Sequence, residues 1–229
     1  MPQGKAYAII AGASGLVGDE LLHQLLAHPH YQTIYSLSRS ELPFHSKKLV
    51  QIIHPELRVT AWGESDPTPQ VGFICLGTTK KQAGSNEALE AIDFQLVKEV
   101  AATMHLLGVR HIVVISSLFA CPWSPSHYLR CKGKMEKAIR AMGFDHCIFV
   151  RPGPLKGERA QPRKDELLVQ GVFTLFRPLV IGPLAHLNPI PAERVARSML
   201  ELSLLAESNH TEPVTVVSGK ALQADPHIR

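Results

Sequence analysis

Residues 7–20 read YAIIAGASGLVGDE, an apolar run that breaks into glycines at Gly12, Gly15 and Gly18 and then resumes with the periodicity of a helix. Three glycines at three-residue spacing, placed where a strand hands over to a helix, leave few folds open. In an open sheet of buried strands such a turn brings backbone against a pyrophosphate. Gly12 permits the tight turn, Gly15 removes a side chain where the phosphates approach, and Gly18 lets the helix lie close against the strand. Ser14, Leu16 and Val17 stand at the entrance of that helix, whose first N–H groups have no partner inside the helix and face the anion. The segment therefore predicts a dinucleotide site at the start of the chain.

The remainder repeats the pattern that such a site requires. Short β-branched runs at 6–10, 33–38, 49–53, 71–76, 111–116 and 146–150 alternate with longer helical stretches. Most of the runs are apolar throughout, as strands buried on both faces are. Three stretches between them, at 15–28, 86–108 and 126–143, are long enough for several helical turns, and two end at a glycine suited to a left-handed cap. The pattern predicts an α/β fold, a Rossmann-type doubly wound parallel sheet, as one domain over 1–229. After Arg151 it loosens into RPGPLKGERAQPRKDE, then a helix near 165–176, a Pro-rich stretch at 177–191, a helix at 192–205 and a strand at 214–217. Because the sheet edge is otherwise taken by cofactor, residues 151–191 are assigned most of a small substrate or partner region.

Chemistry-bearing residues fall at the strand ends, where open α/β sheets bind their ligands. The second strand ends in SLSRS. An acidic residue there would bind the ribose hydroxyls of NAD, whereas Arg39, flanked by Ser38 and Ser40, suits a 2′-phosphate, so the cofactor expected is NADP(H). The fourth strand ends in CLGTT, where Leu76, Gly77 and Thr78 leave room for adenosine and ribose. The fifth ends in Ser116 and Ser117, and eleven residues beyond Ser117 come Tyr128 and Lys132, four apart and so on one face of a helix. An ammonium beside a phenol favours the phenolate, so Tyr128 is the candidate acid, Lys132 its activator and a ribose ligand, and Ser117 the group that orients a carbonyl oxygen.

With LGTT, the serine pair, Y-x-x-x-K and then Arg151, Pro152 and Gly153 in this order, the chain resembles the short-chain dehydrogenase/reductase superfamily. Within it, the chain is similar to the Tat-interacting protein family of atypical members, in a bacterial version. The likeness runs from about Tyr7 to Leu200. It implies NADPH bound through the glycine loop, Tyr128 and Lys132 at the catalytic positions, the nicotinamide end against Pro154 and Leu155, and Arg163 turned toward the cofactor. Two positions depart from the family. His54, with Pro55, stands where many relatives have an acidic residue near the adenine, and Asp93 stands where many reductases have an Asn that supports the lysine through water.

Composition bounds the rest. The chain has 229 residues, 45% of them hydrophobic, and a formal charge of +4 whose densest short runs are lysine pairs, which argues against nucleic acid. Four cysteines without a C-x-x-C pair and twelve histidines without metal-ligand spacing give no disulfide framework and no metal site. The segment MPQGKAYAII is too short and too little charged for a signal peptide, and no apolar run is long enough for a membrane helix, so the expectation is a cytoplasmic protein with no membrane contact. Two readings stay open: a reductase of a small carbonyl compound, or a cofactor-sensing protein that binds a regulatory protein partner.

Overall fold

Parallel strands and the helices that cross between them account for most of the structure, a computed structural model that describes residues 6–43, 45–63, 65–156 and 189–223. In chain order the elements begin with β1 (Ala6–Ala11), α1 (Leu16–Ala27), β2 (Tyr31–Ser38), β3 (Leu49–Ile53), β4 (Val71–Ile74), α2 (Lys80–Ala83) and α3 (Asn86–Glu90). A π-helical turn, Ala91–Leu96, runs directly into α4 (Val97–Leu106). Then come β5 (His111–Ile115), α5 (His127–Arg140), β6 (His146–Arg151), β7 (Leu155–Lys156), β8 (Ile190–Pro191), α6 (Ala192–Glu207), β9 (Val214–Ser218) and α7 (Lys220–Gln223). Seven strands form one sheet in the order β3-β2-β1-β4-β5-β6-β9, every pair parallel. A second pair, β7 with β8, lies outside it.

Burial follows the pattern that the sequence predicts. β4, β5 and the first five residues of β6 are buried, whereas the edge strands β3 and β9 alternate between partly buried and exposed. Consecutive strand residues divide between two cores. Ile10, Phe73, Val113 and Ile148 pack with Leu21, Leu25 and Met199 of α1 and α6, while Ile9, Ile74, Val114 and Phe149 pack with Val100, Met104 and Ile139 of α4 and α5. Parallel strands feeding crossover helices on both faces produce this two-sided burial. Gly108 and Gly143, at φ +91° and +88°, end the two long helices in the left-handed conformation expected of them.

The structure differs from the expected pattern in one helix. The stretch 86–108, predicted as one helix, carries the π-helical turn at its centre. The predicted helix near 165–176, Arg163 and most of the Pro-rich stretch lie outside the described residues, as does most of the assigned substrate region 151–191.

The chain runs from β1 outward to β3 and then returns to β4, so the topological switch point lies between β1 and β4. There the backbones approach closely. Gly12 has φ +90°, and a Cβ on it would stand 2.8 Å from both the carbonyl carbon and the oxygen of Cys75. A Cβ on Gly18 would run into the Gly12 carbonyl oxygen and lie 2.8 Å from its carbon. Helix propensity alone would make Gly18→Ala stabilising by about 1 kcal/mol. Contact with backbone that cannot rotate away reverses the sign, because overpacking costs about 1–3 kcal/mol. Urea unfolding of Gly18→Ala is expected to show a net loss of up to about 2 kcal/mol; a gain would refute the packing role.

Candidate functional site

A cleft opens at the carboxyl ends of β1, β4, β5 and β6, directly above the switch point. Its first wall is the glycine turn. Gly15, the N-cap of α1, donates its N–H to the Gly12 carbonyl at 3.0 Å, and Gly15, Leu16 and Val17 face the cleft. Gly12 and Gly18 lie beneath as packing residues, and Ser14 is exposed on the turn. A dinucleotide pyrophosphate fits this cradle: no side chain fills it at Gly15, and α1 presents its N-terminus there.

The second wall is the turn after β4, in which Cys75, Leu76, Gly77 and Thr78 line the cleft. The third is built from the loop after β5 and the first two turns of α5, which bring Ser116, Ser117, Tyr128 and Lys132 to the same space. Pro152, Gly153 and Leu155 close the far side. The adjacent Pro154 accepts the Ile190 N–H on its carbonyl at 2.8 Å and so anchors β8 beside β7. The structure therefore brings Gly15, Leu16, Val17, Leu76, Gly77, Thr78, Ser117, Tyr128, Lys132 and Leu155 together around one cleft. Arg39 is exposed just past the end of β2, on the same edge of the sheet. Ser38 is committed locally, donating its hydroxyl to the Ser40 carbonyl at 2.8 Å.

Lys132 is the most constrained group in the site. It is 2% exposed, and its Nζ lies 2.7 Å from Oδ1 of Asp93, which is fully buried. The other carboxylate oxygen, Oδ2, accepts the Thr78 N–H at 2.9 Å, and Nζ stands 3.5 Å from the Leu76 carbonyl. The ring of Tyr128, one helical turn earlier, is centred 6.0 Å from Nζ. Burial alone would weaken the charge on Lys132. The Asp93 carboxylate, followed by Tyr128 and Glu136, more than offsets this and holds the lysine above its ordinary pKa. Gly77 is small for the same reason: a Cβ there would sit 3.2 Å from both Asp93 Oδ1 and Lys132 Nζ. Asp93 thus departs from the Asn-and-water arrangement in a definite way, by pairing directly with the lysine.

The two serines have separate duties. Ser116 is buried and donates to Oε1 of Glu136 at 2.6 Å, while Arg151 grips the same carboxylate through Nε at 2.8 Å and a terminal nitrogen at 2.5 Å. One buried carboxylate on α5 therefore fastens the ends of β5 and β6. Ser117 makes a 3.3 Å bond to the Leu118 carbonyl and stands at the cleft. The local sequence shows Glu136 only as one half of an i, i+4 pair with Arg140, since Ser116 and Arg151 lie twenty residues before it and fifteen after it. His54 is held in a turn, where its Nδ1 accepts the Glu56 and Arg58 N–H groups at 3.2 and 3.3 Å. Where α3 meets α5, Glu90, His127 and Cys131 come within 4.8 Å of one another, but both nitrogens of His127 are engaged. One contacts the Asn86 carbonyl and the other the Arg130 guanidinium, each at 3.1 Å, so the group acts as a polar clasp between the helices.

Comparison with known proteins places this geometry. The family described as NAD(P)H-binding matches residues 12–171. A protein of Saccharomyces cerevisiae named "Protein FMP52, mitochondrial" is 34% identical over 160 residues, 68% of each chain. Its namesake from Meyerozyma guilliermondii is 34% identical over 217 residues, 93% of this chain and 91% of its own. Among solved structures, an oxidoreductase of the short-chain dehydrogenase/reductase family from Burkholderia thailandensis superposes with a TM-score of 0.67 at 17% identity, covering 96% of this chain and 94% of its own. MoeE5 in complex with UDP-glucose and NAD gives 0.63 at 14% identity, over 95% and 79%. These findings correct two expectations. The relatives are fungal proteins named mitochondrial, which overturns the cytoplasmic assignment, and in place of the bacterial Tat-interacting likeness stands the broader NAD(P)H-binding family. Among the described residues no helix is long and apolar enough to cross a membrane.

The cradle generates a direct test. A Cβ on Gly15 would meet only the Gly12 oxygen at 3.2 Å, and the Cys75 oxygen at an ordinary 3.7 Å, so the fold tolerates a small shift there. A branched side chain at 15 would nonetheless occupy the space in front of the α1 N-terminus. Gly15→Val is expected to remain folded by circular dichroism and to lose NADPH binding by calorimetry at least about a hundredfold, the worth of two hydrogen bonds to a charged group.

Proposed function

The chain belongs to the NAD(P)H-binding family, and from that premise we propose that it is an NADPH-dependent reductase of a small carbonyl compound. The observation that carries this reading is the placement of Tyr128, Lys132 and Ser117 around one cleft, opposite the glycine cradle. Bound NADPH would supply a hydride to the carbonyl carbon. Tyr128 would give its hydroxyl proton to the carbonyl oxygen, Ser117 would hold that oxygen in line, and Lys132 would support the phenolate left behind and contact the ribose. Leu155 and its neighbour Pro154 would meet the nicotinamide end, with residues 151–191, Arg163 among them, contributing to the substrate region of the single domain. A mitochondrial setting, taken from the names of the relatives, belongs to the same reading.

The preference for NADPH rests on Arg39, exposed at the end of β2 where no carboxylate stands ready for a ribose hydroxyl. A charge-assisted contact to the 2′-phosphate is worth about 1.5–3 kcal/mol, or about a tenfold to hundredfold preference over NADH. Titration with both cofactors is expected to show that preference, and Arg39→Asp is expected to abolish or invert it.

A second reading, a cofactor-sensing protein with a regulatory protein partner, is favoured by the Asp93 carboxylate, which compensates the Lys132 charge beside Tyr128. The two readings separate at the Tyr128 hydroxyl, needed for proton transfer and hardly for holding the dinucleotide. Tyr128→Phe is expected to keep NADPH affinity within about tenfold and to lower turnover about 10²–10⁴-fold. The measurement is NADPH oxidation against a panel of aldehydes, ketones and quinones, repeated with Tyr128→Phe and Ser117→Ala. Turnover intact in Tyr128→Phe would overturn the reductase reading. A protein partner that binds only the NADPH-loaded chain, and binds Tyr128→Phe equally well, would establish the sensor.

A further inference from the structure

The buried pair at the floor of the cleft has a role beyond packing. We propose that Asp93 is a positioning residue for Lys132, whose carboxylate holds the ammonium against the turn of 76–78 and makes the lysine's contribution to cofactor binding independent of pH. The inference rests on the proposed cofactor site and extends it to how that site is kept in one charge state.

The geometry is specific. Asp93 projects from the π-helical turn, an insertion of the kind that recurs at functional sites. One carboxylate oxygen takes the Lys132 ammonium at 2.7 Å and the other takes the Thr78 N–H at 2.9 Å, so a single side chain ties α5 to the turn that lines the cleft. Gly77 keeps the intervening space open; any larger residue would press on both partners at 3.2 Å.

The groups facing Lys132 decide its charge. Asp93 approaches from the π-helical turn, Tyr128 and Glu136 from α5 itself, and Cys75 and the Leu76 carbonyl from the end of β4. Burial pushes the Cys75 thiol up to about 12, so it stays neutral and supplies no counter-charge. Glu136 already serves Ser116, Arg151 and Arg140. Among the described residues, Asp93 is therefore the one fully buried carboxylate in direct contact with the ammonium. With it, Lys132 keeps its proton well into the alkaline range. Without it, burial remains, and burial favours the neutral amine, so the proton is lost at a lower pH. Affinity for a ligand that Lys132 contacts then falls as pH rises.

The test titrates NADPH by fluorescence between pH 7 and 9. The wild type is expected to change less than about twofold, and Asp93→Asn to weaken about tenfold across the window, the equivalent of one unit of titration. Asp93→Ala, which removes the carboxylate without setting an amide against the ammonium, must show the same slope and guards against misfolding of the first variant. Lys132→Met is expected to bind weakly and without slope. In parallel, the Cε resonance of Lys132 in lysine-labelled protein, assigned with Lys132→Met, is expected to titrate within that window in Asp93→Asn and above it in the wild type. A merely structural Asp93 would alter unfolding and leave both slopes flat, and flat slopes in both variants overturn the proposal. The titration requires no turnover, so it decides the matter even for a chain that reduces nothing. If neither NADPH nor NADH binds the wild type, the cofactor reading falls, whereas the Cε titration still reports whether Asp93 sets the charge of Lys132.

Discussion

Backbone meets backbone at the switch point, and the rest of the site depends on that contact. The Gly12 turn lies against the carbonyl of Cys75, and α1 lies against the Gly12 carbonyl at Gly18. At Gly12 and Gly18 no side chain separates the turn after β1 from the end of β4 or from α1, so the first turn of α1 and the turn of 76–78 face each other across the cleft. Hydrogen-bond donors at a helix terminus attract an anion only if they are held open and nothing else satisfies them. The three glycines meet both conditions, by different means at each position.

The opposite wall is held by charge. α5 carries two buried carboxylate contacts on successive turns: Lys132 reaches out to Asp93, and Glu136 receives Ser116 and Arg151. Each contact joins the helix to a different part of the sheet edge, the first to the end of β4 and the second to the ends of β5 and β6. Tyr128 lies one turn before Lys132 on the same helix, so its position is set by anchors that it does not itself make. Removing one partner of a buried ion pair leaves a charge uncompensated, at a cost of about 3–5 kcal/mol.

Much of this was legible in the sequence, for physical reasons that vary by element. The central strands announce themselves because both faces are buried, so most of 71–74, 111–115 and 146–151 is apolar on both faces. The glycine turn and the Tyr128–Lys132 pair are local patterns, with spacings fixed by strand-to-helix geometry and by helical pitch. Glu136 could not be read, because its significance comes from Ser116 and Arg151, which meet it only after the sheet has formed. The π-helical turn is equally silent, since AIDFQL is as good an α-helical sequence as its neighbours. Arg163 and the helix near 165–176 lie outside the described residues, and the cellular compartment was misread because the packing of the fold carries no mark of it.

The Asp93–Lys132 pair also ties together the two halves of the chemistry proposed for the cleft. An ammonium placed beside a phenol by burial alone would be unreliable, because the same burial that excludes water favours the neutral amine. A carboxylate in direct contact removes that conflict, at the expense of part of the field that the ammonium projects toward Tyr128. Bonding of the second carboxylate oxygen to the Thr78 N–H fixes the direction of the remaining dipole, with its positive end at Nζ, 6.0 Å from the Tyr128 ring. The site thus trades strength of field for constancy of charge and position. That exchange suits the role proposed for Lys132, to contact a ribose and support a proton donor from one fixed place.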